Sequence, residues 1–275
     1  MKSINIKDLN NFELQTLLQT AVAPRPIALA STIDKDGNVN LSPFSFFNLF
    51  SSNPPVLIFS PARRVRDNTT KHTLENVLEV PEVVIGNVNF EMVQQVSLSS
   101  TEYEDGVNEF VKTGLTMKPA DLIKPPLIVE SPVNMECKVL EVKSLGPNGG
   151  AGNLVICEVV KIHVREEFLN ENGNLDQTKL NLVSRLGSSW YGKTSVDTLF
   201  EVPKPLQKKG IGYDQLPQSI KNSKVFTGND LGMLANVEEL LKGNFSADEK
   251  IHFEAQKLLL ESKTAEAWKI LNSNN

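Results

Sequence analysis

Arg63, Arg64, Arg66 and Lys71 fall in one short stretch with Asn68, Thr69, Thr70 and Thr73. Guanidinium forks and hydroxyls suit a phosphate, and a helix opening near Thr70 would add its free N-terminal amides. The other reading of the same residues is a solvated basic loop. A second group is Leu41-Ser42-Pro43-Phe44-Ser45-Phe46-Phe47-Asn48. In an extended chain Phe44, Phe46 and Asn48 share one face, and Ser45 and Phe47 share the other. Aromatic rings beside hydroxyl, amide and backbone groups would frame a planar ring. The alternative is a core strand with polar spacers.

Other chemistries lack their residues. There is no Gly-x-x-x-x-Gly-Lys-Ser/Thr, no Gly-x-Gly-x-x-Gly between strand and helix, and no Gly-x-Ser-x-Gly. The three histidines, His72, His163 and His252, are scattered, and the two cysteines form no Cys-x-x-Cys, so no metal site is expected. Cys137 and Cys157 sit in apolar runs and read as buried packing residues in a reducing compartment. The formal net charge of −5 argues against a nucleic-acid partner. No apolar leader and no long apolar run is visible, so the expectation is a cytoplasmic protein without a membrane span.

The elements that must position these groups are mostly short strands. Apolar, partly β-branched runs at 27–33, 39–50 and 56–60 are separated by the Asp36-Gly37 turn and the Asn53-Pro54-Pro55 corner, which reads as a meander. A helix is expected over 70–79, a strand over 83–88 and a short helix over 92–98. A long hairpin follows, with arms 133–142 and 154–165 joined by the glycines of 146–152. In its first arm the alternation Val133, Met135, Cys137, Val139 slips to Leu140 and Val142, a phase change that predicts a β-bulge. In its second arm Leu154, Ile156, Val160, Ile162 and Val164 are placed on one face, opposite Cys157, Val159, Lys161, His163 and Arg165. Further elements are a helix over 7–18, a strand over 180–186, and helices over 236–242, from Ser246 to about Glu261, and over 265–271. Strands this short without helices between them favour an antiparallel barrel over parallel βαβ units.

Four segments in order then carry a resemblance: Pro24-Arg25-Pro26-Ile27-Ala28-Leu29-Ala30-Ser31-Thr32, the Asp36-Gly37 turn, Asn40 to Asn48, and Pro54-Pro55-Val56-Leu57-Ile58-Phe59-Ser60. Over residues 20–195 the chain resembles the flavin reductase-like family. The resemblance implies a mainly β fold with α elements, an antiparallel FMN-binding split β-barrel over 1–198. Residues 199–275 would be a loop and helical extension packing on the barrel or a dimer partner.

The resemblance also implies a site. Ser31 and Thr32 would lie beside the flavin, and Ser45, Phe46, Phe47 and Asn48 would line its ring and ribityl chain. Ser60, Arg66, Asn68, Thr69, Lys71 and Thr73 would hold the phosphate. His72 departs from the Lys-Asp-Thr that family members often show there. His163 is the one catalytic candidate, and with Arg185 and Tyr191 it would face the substrate; Gly187-Ser188 stands where Gly-Gly is often seen. The implied activity is NAD(P)H-dependent flavin reduction with FMN rather than FAD, in a homodimer that serves a partner monooxygenase or redox protein. Two other readings stay open: a non-catalytic FMN electron carrier or store, and a barrel that has lost its flavin.

Overall fold

The computed structural model describes residues 1–205 and 209–272. The chain divides into two compact units, Met1–Leu199 and Phe200–Asn275. Among the described residues no helix is long and apolar enough to cross a membrane.

The first unit opens with α1 (Asn11–Ala21), which starts later than the 7–18 expected. Asn10 caps it: its side chain accepts from the Glu13 amide while the Glu13 carboxylate accepts from the Asn10 amide. Then come β1 (Ala28–Ile33), β2 (Val39–Phe44), β3 (Phe47–Ser52), β4 (Pro55–Phe59), α2 (His72–Glu79) and β5 (Glu82–Asn87). The elements α3 (Val93–Leu98), α4 (Glu109–Thr113) and the two-residue strands β6 (Met117–Lys118) and β7 (Leu127–Ile128) lead to β8 (Val133–Ser144) and β9 (Asn153–Val164). The unit closes with α5 (Gln177–Leu180), β10 (Val183–Arg185) and β11 (Tyr191–Lys193), so the strand expected over 180–186 is shorter and follows a helical turn.

Seven strands form one antiparallel sheet in the order β2-β1-β5-β8-β9-β4-β3. The run at 39–50 is therefore two strands, not one, and the first strands are not a simple meander. β2 and β3 stand at opposite ends of the sheet, and the two-residue bend Ser45-Phe46 ties those ends together. This is the antiparallel split barrel the sequence implies. Period-two alternation feeds two cores. On β1, Ala28 and Ala30 join Phe44, Phe59, Val83, Ile85, Cys137 and Cys157, over which Leu74 and Val77 of α2 pack. Leu29 joins Leu41, Val84, Val96, Phe110 and Ile128 on the other side. Full burial of a ring such as Phe59 or Phe110 stabilises by about 2 kcal/mol each.

The hairpin carries the expected bulge at Leu140, since Val139 opposes Cys157 and Glu141 opposes Ile156. A second bulge, at Val160, is not expected from the sequence: Glu136 opposes Lys161 and Cys137 opposes Val159. It resets the faces of β9, so Val155 and Cys157 are buried while Leu154 and Ile156 are only partly covered.

The second unit has its own core of Leu216, Ile220, Phe226, Leu234, Leu259, Trp268 and Leu271. Its helices are α6 (Gln218–Lys221), α7 (Gly228–Ala235), α8 (Glu249–Leu260) and α9 (Thr264–Leu271). The helix expected over 236–242 is absent. The chain is helical just before it, where a capping box between Thr227 and Asp230 starts α7. α8 is capped by Asp248 rather than Ser246, whose hydroxyl accepts from the Asp248 amide.

Candidate functional site

The loop between β4 and α2 folds on itself. Asn68 adopts the left-handed backbone (φ 58°), accepts from Arg63 Nε at 2.7 Å and donates to the Pro147 carbonyl at 3.0 Å. Thr69 donates to Asp67 Oδ1 at 2.6 Å and accepts from Arg64 at 2.9 Å. Those hydrogen bonds from Thr69 come first in holding the Asp67 carboxyl down at about 2, with Arg66 assisting. Arg66 is largely exposed and pairs with Asp67 at 3.1 Å and Glu102 at 2.9 Å. Asn68 and Thr69 thus build the loop, and Arg66 lies on its outer surface.

The loop delivers Arg64 and Lys71 to a small polar recess. The recess is lined by Asn40 and Ser42 of β2, His72 and Thr73 of α2, the segment Ser99 to Tyr103, and Glu109 of α4. It has about 20 Å³ of free space, room for a water molecule. Lys71 is the N-cap of α2 and supplies no capping hydrogen bond, so the first amides of that helix lack a side-chain partner. Among the described residues the Lys71 ammonium has no ion pair; it lies 5.8 Å from the centroid of the Phe44 ring. Burial, and after it the Arg64 charge, push this ammonium below the ordinary lysine value, while Glu102 acts the other way.

A carboxylate already sits against the cationic side. Glu102 lies 3.3 Å from Arg64 Nε, a buried atom that makes no aligned hydrogen bond. Behind the recess, Glu109 accepts from the Leu41 amide at 2.9 Å and from Asn40 Nδ2 at 2.7 Å. Asn40 Oδ1 in turn accepts from the Thr73 hydroxyl at 2.6 Å. Burial holds Glu109 above the usual carboxylate range, against those hydrogen bonds.

Two apolar clefts flank the barrel's closing bend. One, about 420 Å³, lies between α1, Phe46, Val65 and the turn at Gly149 and Gly150, with Arg25 at its edge. The other, about 600 Å³, is lined by Phe47, Asn48, Leu49, Val88, Val160 and Ile162 among others. Phe46, in the bend, and Phe47, at the start of β3, thus face different clefts. Ser45 is tied to Arg25 Nε at 3.4 Å, and Arg25 also donates to the carbonyls of Val22 at 2.6 Å and Leu186 at 2.9 Å. Ser60 is buried under Gly152, where a Cβ would come within 2.6 Å of the Ser60 hydroxyl.

The remaining expected residues are dispersed. Thr32 is buried beneath α2 and faces Asn76 at 3.2 Å; Ser31 is buried on the opposite face of β1, its hydroxyl without a partner. Neither opens onto the recess. Arg185 stacks over Tyr191 at 4.7 Å and forms a backbone bridge with Arg25. His163 meets Glu136 through Nε2 at 2.6 Å. Glu136 is fully buried and accepts from the Asp121 and Leu122 amides at 2.9 and 2.7 Å, while Asp121 pairs with Lys161 at 2.5 Å. Burial pushes the Glu136 carboxyl up, but these bonds together hold it below the ordinary value. Asp121, Glu136 and His163 place ligand atoms within 4.8 Å of one another, yet these protein partners already engage them.

The sequence pointed to Arg64, Lys71 and Thr73 through the basic loop, and Asn40 stood at the start of a resembling segment with no role given to it; Glu102 and Glu109 carried no signal.

The model of the flavin reductase like domain matches residues 21–180, more than half the chain. The chain belongs to the flavin reductase-like family. A protein of Aquifex aeolicus is 37% identical over 188 residues, covering 68% of this chain and 93% of its own. Nitrilotriacetate monooxygenase component B from Bacillus cereus is 28% identical, with a TM-score of 0.68, over 74% of this chain and 98% of that one. The 2-nitrobenzoate 2-nitroreductase of Pseudomonas fluorescens is 25% identical, with a TM-score of 0.66, over 76% and 100%. The family match ends before the second unit.

A family of this kind implies a flavin, and the donor chemistry of the recess fits its phosphate. An ammonium with no contact ion pair among the described residues, an arginine facing a carboxylate and helix amides without a side-chain cap are groups an anion satisfies. Glu102 already occupies the arginine side of the recess, so an anion there would compete with its carboxylate.

Proposed function

We propose that this chain is an FMN-dependent oxidoreductase, in the first place an NAD(P)H:flavin reductase acting as a homodimer. The observation that carries this reading is Lys71: a half-buried cation with no contact ion pair among the described residues, at a helix start it does not cap, in a chain of the flavin reductase-like family. Lys71, Arg64 and the first amides of α2 would hold the phosphate in place of the Glu102 carboxylate. Phe46 and Val65 give the neighbouring cleft its apolar wall, which would keep water from a planar ring. Bound FMN would supply two-electron chemistry of its own, so the protein needs no acid–base pair beside it. Nicotinamide would bind transiently, since the sequence carries no dinucleotide fingerprint. The likeness to a monooxygenase component B supports a partner monooxygenase as the consumer of reduced flavin.

The test is an anaerobic spectrum of the purified protein with FMN, before and after NADH or NADPH. Rapid bleaching of the flavin bands is expected. Bands that persist with both nicotinamides would replace the reductase with an electron carrier fed by a protein donor. Failure to bind FMN would end both readings.

A further inference from the structure

Glu109 touches neither of the recess's cations, yet it fixes which way a hydrogen points inside it. Its two oxygens accept from the Leu41 amide and from Asn40 Nδ2. An ionised carboxylate can only accept, so it selects the Asn40 orientation that presents Nδ2 to it and Oδ1 to Thr73. Thr73 must then give its single hydroxyl hydrogen to Asn40 Oδ1, at 2.6 Å. Toward the recess that hydroxyl has only lone pairs left, and it would repel an anion rather than bind one.

We infer that Glu109 is a proton-operated positioning residue, which through Asn40 switches the Thr73 hydroxyl from acceptor to donor for an anion in the recess. The inference rests on the phosphate reading above for its ligand, but the switch itself does not. When Glu109 takes one proton from solvent, its carboxyl O–H needs an acceptor where Asn40 Nδ2 now stands. Rotation of the Asn40 amide by half a turn supplies Oδ1 to Glu109 and Nδ2 to Thr73. Thr73 then accepts from Asn40, and its hydrogen is released toward the recess. No bond other than hydrogen bonds is made or broken, and one proton is bound.

The setting makes this exchange reachable. Glu109 is buried on α4, and Asn40 and Thr73 are buried with it, beside a recess with room for about one water. Of the charged and titratable groups lining the same recess, Lys71, His72 and Arg64 come from α2 and the loop before it. Glu102 and Tyr103 come from the segment after α3, and β2 and α3 contain none. Burial favours the protonated carboxyl, in the direction the switch needs.

Glu109→Gln mimics the protonated state, because its amide nitrogen must face Asn40 while its oxygen keeps the Leu41 amide. The probes are FMN and riboflavin, which lacks the phosphate, titrated into flavin-free protein. At about pH 8 the variant should bind FMN about tenfold tighter than wild type, with riboflavin unchanged, as one charge-assisted hydrogen bond gained. That gain should shrink as the pH is lowered and wild-type Glu109 itself takes up a proton, and it should vanish when Thr73→Val is added. A gain that survives Thr73→Val would mean simple charge removal and would overturn the inference, as would no gain at all.

The Asn40 side-chain amide resonances, followed against pH without ligand, read the switch directly. They should move with one proton in wild type and stay fixed in Glu109→Gln. A static amide in wild type would overturn the switch. An amide that titrates in protein with equal affinity for FMN and riboflavin would keep the switch and reject the phosphate reading.

Discussion

Two polar clusters in the first unit look alike by residue type and differ in how their charges balance. In the cluster of Asp121, Glu136, Lys161 and His163, the lysine has its aspartate and the histidine has its glutamate. Both oxygens of the buried glutamate also accept backbone amides. In the recess at the start of α2, the Lys71 ammonium has no contact ion pair among the described residues, Glu102 is already shared between two arginines, and Glu109 is engaged by Asn40 and the Leu41 amide. A closed account of partners marks a cluster that holds the fold together. A cation without a contact partner marks a cluster where a ligand could bind. Residue type alone would have ranked His163 above Lys71; the partner account reverses that order.

The largest expected effect breaks the closed cluster. Glu136→Ala strands two amides and an imidazole, and should lower unfolding stability by about 3 kcal/mol. The urea midpoint measures it, and an unmoved midpoint would remove the structural role.

Next comes the contrast itself. Lys71→Ala should weaken FMN binding by about 30-fold, some 2 kcal/mol, and leave riboflavin untouched. His163→Gln should change FMN affinity and the rate of reduction by NAD(P)H by less than about threefold. Equal losses in both variants, in flavin titrations and stopped-flow traces, would erase the distinction between the clusters.

The smallest effect is a difference of slope with pH. Glu136 is held below its ordinary value, so its stabilising contribution is present above the unfolded carboxyl range and is lost as pH falls through the folded value. Glu109 is held above, so its contribution is present at low pH and is lost as pH rises through its folded value. Urea midpoints across the acid range should therefore flatten on the acid side in Glu136→Gln. In Glu109→Gln they should instead lose the decline on the higher-pH side. Identical profiles for the two variants would contradict the opposed shifts.

How much of this was legible depended on whether a feature leaves a local trace. The bulge at Leu140 is visible because an apolar alternation slips by one residue there. The bulge at Val160 is not, because Val159 and Val160 are equally apolar and no phase is lost. The bend at Ser45-Phe46 hid inside a run of strand-forming residues, and only the pairing of β2 and β3 with different neighbours reveals it. α7 was masked by Gly228 and Gly232, though its Thr227–Asp230 capping box was there to be read. In the site, Lys71 and Thr73 came from a contiguous motif. Asn40, Glu102 and Glu109 come from remote segments and join the recess only through the fold.

The two ends of the seven-stranded sheet have a consequence for how copies of this chain can meet. A strand at a sheet's end presents unused amides and carbonyls on which another strand can grow. β2 carries Pro43, which has no amide to offer. β3 carries Phe50 as an extra residue between the Leu49–Leu57 and Ser51–Val56 pairs, which breaks the spacing a newcomer would need. Each edge is thus blunted by a different device, and regular extension of the sheet from one molecule into the next is disfavoured at both. Any pairing of two copies through this sheet would have to overcome both devices.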